Sequence, residues 1–338
     1  MTHDLVSARL IVVGGAPRSG TTLVQRILDS HSLIYGGPEF DLLPEIMRLR
    51  SRFLDEIRAG RISEYLNEEN ANAIFESFLV SLFQKKVGEI GKVYLSEKTP
   101  SNLEAFPELR ACLPNAHFIF VMRDPRAIVA SMLEVGRRYV KDLKIGALVQ
   151  VVKQVVSGRE TDALQTKYPS LPVPPPFTRN TRRAIEYINY LWMRGNKARD
   201  GADNILVVYY EEIVEQPEKA IRRIMDFLQI PFEESLLNIQ ERKWDMPKFQ
   251  SGEQYWYTRE QLQTPIENAS LQKWREVLGS YDLYLIHKHL ICIPGLTDRY
   301  DLQVQGRPWW VILDAWGRLF AGLRKMFVQL CAALSKAL

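Results

Sequence analysis

A glycine-rich loop near the amino terminus is the feature that most constrains the fold of this 338-residue chain. The loop follows an apolar, β-branched run, Leu10 to Gly14, which predicts a buried strand, and it precedes a helical pattern that opens at Leu23. Its sequence is Gly15-Ala-Pro-Arg-Ser-Gly20-Thr-Thr. In such a strand–loop–helix unit the backbone N–H groups point over the start of the helix, where an anion binds. The segment therefore predicts an α/β fold with an anion site.

This loop differs at one position from the loop that binds nucleotide phosphates in ATPases and kinases. The glycines keep the Gly-x-x-x-x-Gly spacing, but Thr21 stands where that motif has lysine. Because that lysine contacts the β- and γ-phosphates, its absence disfavours transfer of a γ-phosphoryl group. An ordinary glycine turn is the simpler alternative. Such a turn rarely combines a strand, two spaced glycines, an arginine and paired threonines at a helix start.

Strand and helix patterns alternate along the rest of the chain. Strands are predicted over 93–96, 117–122 and 205–209, and helices over 42–57, 70–86, 103–113, 181–199 and 216–228. This alternation predicts a parallel sheet flanked by helices. We predict one P-loop α/β domain over residues 1–305 and an amphipathic helical extension over 306–338, where large apolar side chains recur three or four residues apart.

Composition excludes several classes of protein. The hydrophobic and charged fractions, 46% and 25%, are typical of soluble globular chains, no apolar run reaches the ~18 residues of a membrane span, and no secretory signal is evident. Three widely separated cysteines predict free thiols in a reducing compartment, and hence a cytoplasmic location. A net charge of +4 is too small for a protein that binds nucleic acid through bulk charge, so no nucleic-acid partner is expected.

A second motif lies at the end of the apolar strand 117–122. The strand runs into Arg123, and Ser131 follows eight residues later on a predicted helix. Arginine offers a planar fork of donors to phosphate oxygens, and serine adds a neutral donor. Taken with Pro17-Arg-Ser-Gly-Thr-Thr-Leu23, this motif resembles the donor-binding elements of sulfotransferases. The alternative for Arg123 is a surface ion pair with Asp124.

The resemblance implies the co-substrate 3′-phosphoadenosine 5′-phosphosulfate and no metal, since arginine and lysine would meet the charges that magnesium neutralises in kinases. The 5′-phosphosulfate would lie on the glycine-rich loop, and the 3′-phosphate on Arg123 and Ser131. The full set of donor-binding residues implied by the resemblance is Arg18, Ser19, Gly20, Thr21, Thr22, Arg123, Ser131, Tyr209 and Lys273. Tyr210 also matches the family pattern, and both tyrosines could instead be core aromatics.

Further segments resemble the tyrosylprotein and bacterial branch of the family rather than its cytosolic enzymes. Glu39, in Gly36-Gly-Pro-Glu, matches a general base for the acceptor hydroxyl. Lys98, in Ser96-Glu-Lys-Thr-Pro, matches a lysine that contacts the leaving phosphate and the sulfuryl group. Lys273 belongs to a segment, beginning near Pro265, that resembles one that closes over the nucleotide. The catalytic residues implied are therefore Glu39, Lys98 and Arg18.

Other interpretations of these residues remain open. Glu39 could instead cap a helix that starts near Phe40. His31 and His117 are lesser candidates for the base, because a single histidine beside a helix end or in a strand is more often structural. Asp41 stands where animal tyrosylprotein enzymes have an arginine, which disfavours attraction of an acidic peptide.

The function predicted from the resemblance is in-line transfer of a sulfuryl group to an acceptor hydroxyl on a tyrosine, a sugar or a small molecule. One alternative is a P-loop nucleotide kinase or NTPase, in which Asp124 would bind magnesium. The other is a nucleotide-responsive membrane adaptor without catalytic activity.

The carboxy-terminal third of the chain carries the remaining expectations. Four aromatic residues, Trp244, Tyr255, Trp256 and Tyr257, are candidates either for an acceptor cleft or for core packing. Residues 308–338 contain four basic residues and one acidic residue beside their apolar stripe, a composition that suits peripheral contact with an anionic membrane. Docking of this segment on the globular body or on a second subunit, in a homodimer, is an equal alternative.

Overall fold

The computed structural model describes residues 9–141, 174–239, 256, 271–290, 299–300 and 302. The predicted extension 306–338 and several single residues of the sequence analysis lie outside these ranges, namely Trp244, Tyr255, Tyr257, Pro265, Cys292 and Cys331. Cys112 is described as a buried free thiol. Among the described residues, no helix is both long enough and apolar enough to cross a membrane.

The described strands form one parallel sheet, which confirms the predicted fold class. The strands are β1 (Leu10–Gly15), β2 (Ile34–Gly36), β3 (Tyr94–Lys98), β4 (His117–Met122) and β5 (Ile205–Tyr209). Their order across the sheet is β2-β3-β1-β4-β5, and every neighbouring pair is parallel. β1 therefore lies at the centre, where a continuous apolar run is buried on both faces.

Helices cover both faces of this sheet. They are α1 (Thr21–Ser30), α2 (Leu43–Arg58), α3 (Glu68–Ile90), α4 (Asn102–Cys112), α5 (Pro125–Lys141), α6 (Thr181–Arg199), α7 (Tyr210–Glu215), α8 (Pro217–Leu228), α9 (Trp274–Val277) and α10 (Ser280–His289). These bounds agree with the predicted helices to within a few residues.

The alternation of side chains along β1 divides the core into two clusters. Leu10 and Val12 pack with α4 and α6, whereas Ile11 and Val13 pack with α1 and α8 on the opposite face. All four side chains are at most 4% exposed. The sheet is thus held from both sides, and its strand ends are fixed relative to one another.

The parallel register brings the loops that follow the strands to the same edge of the sheet. Val13 pairs with Lys98, Gly15 with Val121, and Met122 with Tyr209. In an open α/β sheet the crevice outside the carboxyl ends of the strands is where ligands bind. The glycine-rich loop after β1, Glu39 after β2, Lys98 at the end of β3 and Arg123 after β4 all belong to this edge.

Candidate active site

The loop between β1 and α1 has a backbone that leaves the helix start open. Arg18 and Gly20 have positive φ angles of 75° and 102°. A Cβ atom at position 20 would lie 2.4 Å from the Tyr210 ring, so glycine is required there by both conformation and space. Helix α1 begins at Thr21 without a side-chain cap. Its first amides therefore face the crevice as donors for an anion.

Ser19 is a buried polar residue within the same loop. Its side chain is fully buried, and its Oγ has no hydrogen-bond partner among the described residues. Leaving a buried hydroxyl unpaired costs about 1–3 kcal/mol. A phosphate or sulfate group bound over the loop would supply an acceptor, so the local chemistry fits an anionic ligand.

The two motifs of the sequence meet at Arg18. Its Nε donates to Ser131 Oγ on α5 over 2.9 Å, and its Nη1 donates to the backbone oxygen of Trp256 over 2.6 Å. Arg123 Nη1 donates to the backbone oxygen of Arg18 over 3.1 Å. The Arg123 guanidinium also lies 4.1 Å from the centroid of the Tyr210 ring, a cation–π contact. Two cations and two hydroxyl-bearing side chains thus surround the start of α1.

Lys98 and Glu39 form the second part of the site. Lys98 ends β3, and its side chain is only 4% exposed, whereas Glu39, in the loop after β2, is 37% exposed. Lys98 Nζ donates to Glu39 Oε1 and lies 3.4 Å from Thr22 Oγ1 in the first turn of α1. The lysine therefore connects a half-exposed carboxylate to the loop that would hold the anion.

The alternative of Glu39 as a helix cap is wrong. Helix α2 begins at Leu43, its N-cap position is Leu42, and no side chain caps it. Glu39 lies four residues before that helix, in a segment without regular secondary structure. Its position beside Lys98 leaves it available for chemistry at the crevice.

Comparison with known proteins identifies the family. The profile of the sulfotransferase family matches residues 11–234, which is most of the described domain. The chain belongs to the sulfotransferase family. Two curated relatives are a protein-tyrosine sulfotransferase of Drosophila melanogaster, 29% identical over 69% of this chain, and protein-tyrosine sulfotransferase 1 of Danio rerio, 28% identical over 92% of this chain. These alignments span 40% of the Drosophila protein and 78% of the zebrafish protein.

A solved structure shows the same fold. The sulfotransferase domain from the curacin biosynthetic pathway aligns over 86% of this chain and 95% of its own, with a TM-score of 0.50 and 18% sequence identity. The parallel sheet with helices on both faces is therefore a fold that this sulfotransferase shares with that domain.

Asp124 does not pair with Arg123, contrary to the alternative raised for that arginine. Both carboxylate oxygens of Asp124 accept from the Arg126 guanidinium, at distances of 2.8–3.1 Å, while the backbone N–H of Asp124 donates to Glu211. Arg126 also lies 4.4 Å from the centroid of the Trp274 ring. The Asp124 carboxylate is thus engaged by a cation of its own chain. Within the described ranges no three His, Cys, Asp or Glu side chains cluster as a metal site would require.

His31, a lesser candidate for the base, has a structural role. It is fully buried; Nδ1 accepts from Leu33 N over 3.0 Å, and Nε2 lies 2.8 Å from the Pro231 oxygen. Both ring nitrogens are therefore engaged within the fold, and Nδ1 also lies 3.5 Å from Glu233 Oε1. His117 packs edge-on against Phe227, at 5.4 Å between ring centroids.

Two predicted donor ligands lie further from the loop. Tyr209 ends β5, and its ring is covered by Arg299, whose Cζ lies 3.8 Å from the ring centroid. Lys273 lies 3.6 Å from Glu134, on the helix that carries Ser131. Tyr210, rather than Tyr209, contacts both Gly20 and Arg123. The sequence matched both tyrosines to the family pattern, but it did not predict the contacts of Tyr210 with Gly20 and Arg123.

Glu97 is a residue near the site that sequence reasoning missed. It precedes Lys98 in β3, is 2% exposed, and accepts hydrogen bonds from Thr99, Phe40 and Asn102. Burial raises the pKa of its carboxyl, and these hydrogen bonds lower it in part. The signal available in the sequence was a charged residue within a strand whose other members are largely buried.

Proposed function

We propose that this family member transfers the sulfuryl group of 3′-phosphoadenosine 5′-phosphosulfate to an acceptor hydroxyl. The observation that carries the proposal is the convergence of an uncapped helix start, the Arg18 guanidinium, and the Lys98–Glu39 pair at one sheet edge. The Arg18 guanidinium, the Lys98 ammonium and the first backbone amides of α1 are donors for an anion, and the Glu39 carboxylate lies beside them. Donors for a doubly charged leaving group and a base for a hydroxyl are the two requirements of this reaction.

The donor would bind along the loops that follow β1 and β4. The amides from Arg18 to Thr22 and the Ser19 hydroxyl would hold the 5′-phosphosulfate. Arg123 and Ser131 would hold the 3′-phosphate, and both already contact Arg18. Tyr209 and Lys273 would contact the nucleotide further along. The buried Ser19 hydroxyl and the uncapped start of α1 support this assignment.

The chemistry requires one bond to form as another breaks. The acceptor oxygen forms a bond to sulfur, the bond from sulfur to the 5′-phosphate oxygen breaks, and the acceptor proton passes to Glu39. Lys98 and Arg18 stabilise the charge that grows on the leaving oxygen, a preorganised electrostatic effect. In the structure Lys98 already spans from Glu39 to Thr22, so small side-chain movements would bring it to the leaving group.

The acceptor is a hydroxyl-bearing molecule, which the names of the relatives, protein-tyrosine sulfotransferases, support as a tyrosine. Aromatic rings lie beside Arg18. Phe177 stacks on Tyr187 at 4.4 Å between centroids and lies 6.0 Å from the Trp256 ring, whose own backbone oxygen accepts from Arg18. A planar phenol would find contact area on these rings. We further infer membership of the tyrosylprotein and bacterial branch, on the matches at Glu39 and Lys98.

The wider setting is proposed from composition. The cysteine content supports a cytoplasmic location, and the small net charge supports the absence of a nucleic-acid partner. The basic, apolar segment 308–338 would make peripheral contact with a membrane. The segment 1–305 would be the catalytic domain. Alternatively, residues 308–338 would dock on a second subunit in a homodimer.

Binding of 3′-phosphoadenosine 5′-phosphate, measured by calorimetry without magnesium, tests the donor site. Wild type should bind, and Arg123→Ala should lose about 10-fold or more in affinity, since a hydrogen bond to a charged group contributes about 1.5–3 kcal/mol. Arg110→Ala is the matched control. Arg110 donates to the backbone oxygens of Ala198 and Gly201, before β5 and therefore at the opposite edge of the sheet.

ATP with magnesium is the comparison ligand in the same experiment. Equal or tighter binding of magnesium ATP, together with ATP turnover, would favour the kinase alternative. Tight binding of the bisphosphate without transfer to tyrosine peptides, sugars or phenols would instead favour the adaptor.

A further inference from the structure

Glu97 is a buried carboxylate next to the site that the proposed reaction does not use. Its Oε1 accepts from Thr99 Oγ1 over 2.7 Å and from the Phe40 amide over 3.0 Å, and its Oε2 accepts from Asn102 Nδ2. Lys98 is the neighbouring charge in the chain and, through the attraction of opposite charges, favours the ionised form. Placing a carboxylate in such a position costs several kcal/mol of desolvation, which good hydrogen bonds offset only in part.

Each donor to Glu97 leads to a different part of the site. Phe40 directly follows Glu39 in the chain. Thr99 Oγ1, besides donating to Glu97, accepts from the Asp41 amide over 3.3 Å. Asn102 Nδ2 also lies 3.2 Å from the Val13 oxygen, near the end of β1. The Glu97 carboxylate therefore links two parts of the site. It accepts directly from the loop that carries Glu39, and through Asn102 it is connected to β1, which leads to the anion-binding loop.

The backbone of the Glu39 loop is attached at its first residue and again at Phe40 and Asp41, whose side chains also contact Phe83 and Ser101. Gly37 pairs through its amide with the Ser96 oxygen over 3.0 Å and through its carbonyl with Gln25 Nε2 over 3.1 Å. The next backbone contacts are those of Phe40 and Asp41 with Glu97 and Thr99. Glu39 lies between these two attachment points. Its distance from Lys98 depends on both of them being kept.

We propose that Glu97 is a positioning residue that fixes the Phe40 amide and thereby holds Glu39 beside Lys98, where its carboxylate can accept the proton of the acceptor hydroxyl. This inference rests on the proposed role of Glu39 as the base. A purely structural carboxylate would change stability on substitution. A positioning carboxylate also changes turnover with little change in donor affinity, because its hydrogen bonds come from Phe40, Thr99 and Asn102, none of which is a predicted donor-binding residue.

Two substitutions and one control separate these roles. Glu97→Gln keeps the shape but exchanges a charged acceptor for a neutral one, so the hydrogen bonds from Phe40 and Thr99 are weakened, and its Nε2 meets the Asn102 amide donor against donor. Thr99→Val removes the hydroxyl that links Glu97 to the Asp41 amide and leaves the carboxylate in place. Thr181→Val is the control, since Thr181 is a buried threonine at the start of α6 whose hydroxyl donates to Asp282.

Hydrogen exchange measures the attachment directly and needs no acceptor. The Phe40 amide should exchange about fivefold faster or more in Glu97→Gln, because a hydrogen bond to a neutral acceptor contributes about 1 kcal/mol less than one to a charged acceptor. Asp41 alone should respond to Thr99→Val, and neither amide should respond to Thr181→Val. Unchanged exchange at Phe40 in Glu97→Gln would overturn the proposal.

Turnover with 4-nitrophenol and with a tyrosine peptide measures the consequence. Glu97→Gln should lower kcat by about 10- to 100-fold, as a small misplacement of a catalytic group does, while affinity for 3′-phosphoadenosine 5′-phosphate stays within about twofold. In a Glu39→Gln background the same substitution should lower kcat by less than about twofold, since positioning an absent base has no effect.

The failure of this inference can be told from the failure of the proposed function. If Glu39→Gln keeps full activity, the base assignment is wrong, and the positioning role falls with it. If Glu39→Gln is inactive but Glu97→Gln lowers kcat by the same factor in both backgrounds, only the positioning role is wrong. Loss of bisphosphate binding in Glu97→Gln would likewise overturn it.

Discussion

At the residue scale, the central feature is that Lys98 contacts both the proposed base, Glu39, and the loop that would hold the donor. The ammonium is almost fully buried, and it contacts Glu39 and the first turn of α1. A buried charge is stable only with partners, and breaking a buried pair is strongly destabilising. The same lysine is thus well placed to exchange one anionic partner, Glu39, for another, the leaving phosphate.

Lys98→Met tests this exchange, because methionine keeps much of the apolar stem without the charge. We expect kcat to fall by about 10²-fold or more, the effect of removing one donor that acts in the transition state. Donor affinity should change less than turnover does. Lys92→Met is the control. Lys92 lies just before β3, at the end of the strand opposite to Lys98, and donates to the backbone oxygens of His31 and Ser32. Equal losses in kcat for the two variants would contradict the role of Lys98.

The raised pKa of Glu97 predicts a dependence of stability on pH. At a pH below 4.5 the carboxyl is protonated in both the folded and unfolded chains. As the pH rises above that value, the unfolded chain releases its proton first, so folding becomes less favourable until the folded carboxyl also ionises. The free energy of unfolding of wild type should therefore fall relative to that of Glu97→Gln as the pH rises through this range. Urea titrations at several pH values measure it, and a flat difference would show that burial does not govern this carboxyl.

At the element scale, the strand–loop–helix unit of β1 and α1 depends on its backbone conformation as much as on its side chains. Gly20 has a φ of 102° and lies against Tyr210, and Arg18 holds a positive φ although it is not glycine. Strained backbone of this kind persists where the surrounding structure enforces it, often at functional sites.

Gly20→Ala should therefore abolish binding of the bisphosphate and lower stability by about 1–3 kcal/mol. The control is Gly60→Ala at the end of α2. Gly60 also has a positive φ, of 76°, but nothing lies within 4 Å of an added Cβ there. Its substitution should lower stability and leave binding intact. Calorimetry and thermal unfolding of both variants distinguish backbone strain from damage to the site.

Much of this architecture could be predicted from local sequence patterns. The apolar runs of β1 and β4 and the helices that follow them were predicted because their signals are short and contiguous. The resemblance of two motifs to one family predicted that Arg18 and Ser131 serve the same donor, but not the hydrogen bond between them. Tyr210 was matched to the family pattern without its contacts, and Glu97 was not predicted, because their roles depend on contacts between distant segments. Tyr210 reaches Gly20 across 190 positions of the chain, and Glu97 reaches Phe40 across 57.

At the scale of the whole molecule, the site exists only when the central strands are in place. Arg18 contacts Ser131, 113 residues away, and Trp256, 238 residues away. The chain after β5 also returns to the site, since the Tyr300 hydroxyl donates to Glu211 and its backbone oxygen accepts from Arg126.

Deletion of residues 306–338 should leave the affinity for 3′-phosphoadenosine 5′-phosphate within about twofold of wild type, because every predicted donor-binding residue precedes that segment in the chain. The same deletion should abolish flotation with vesicles of phosphatidylcholine and phosphatidylserine, since each basic residue near an anionic surface contributes about 1 kcal/mol of attraction. Vesicles of phosphatidylcholine alone are the control. Equal flotation of the two proteins would remove the membrane proposal. A change from dimer to monomer in light scattering would assign the segment to a second subunit instead, because an apolar stripe that does not meet lipid must be covered by protein.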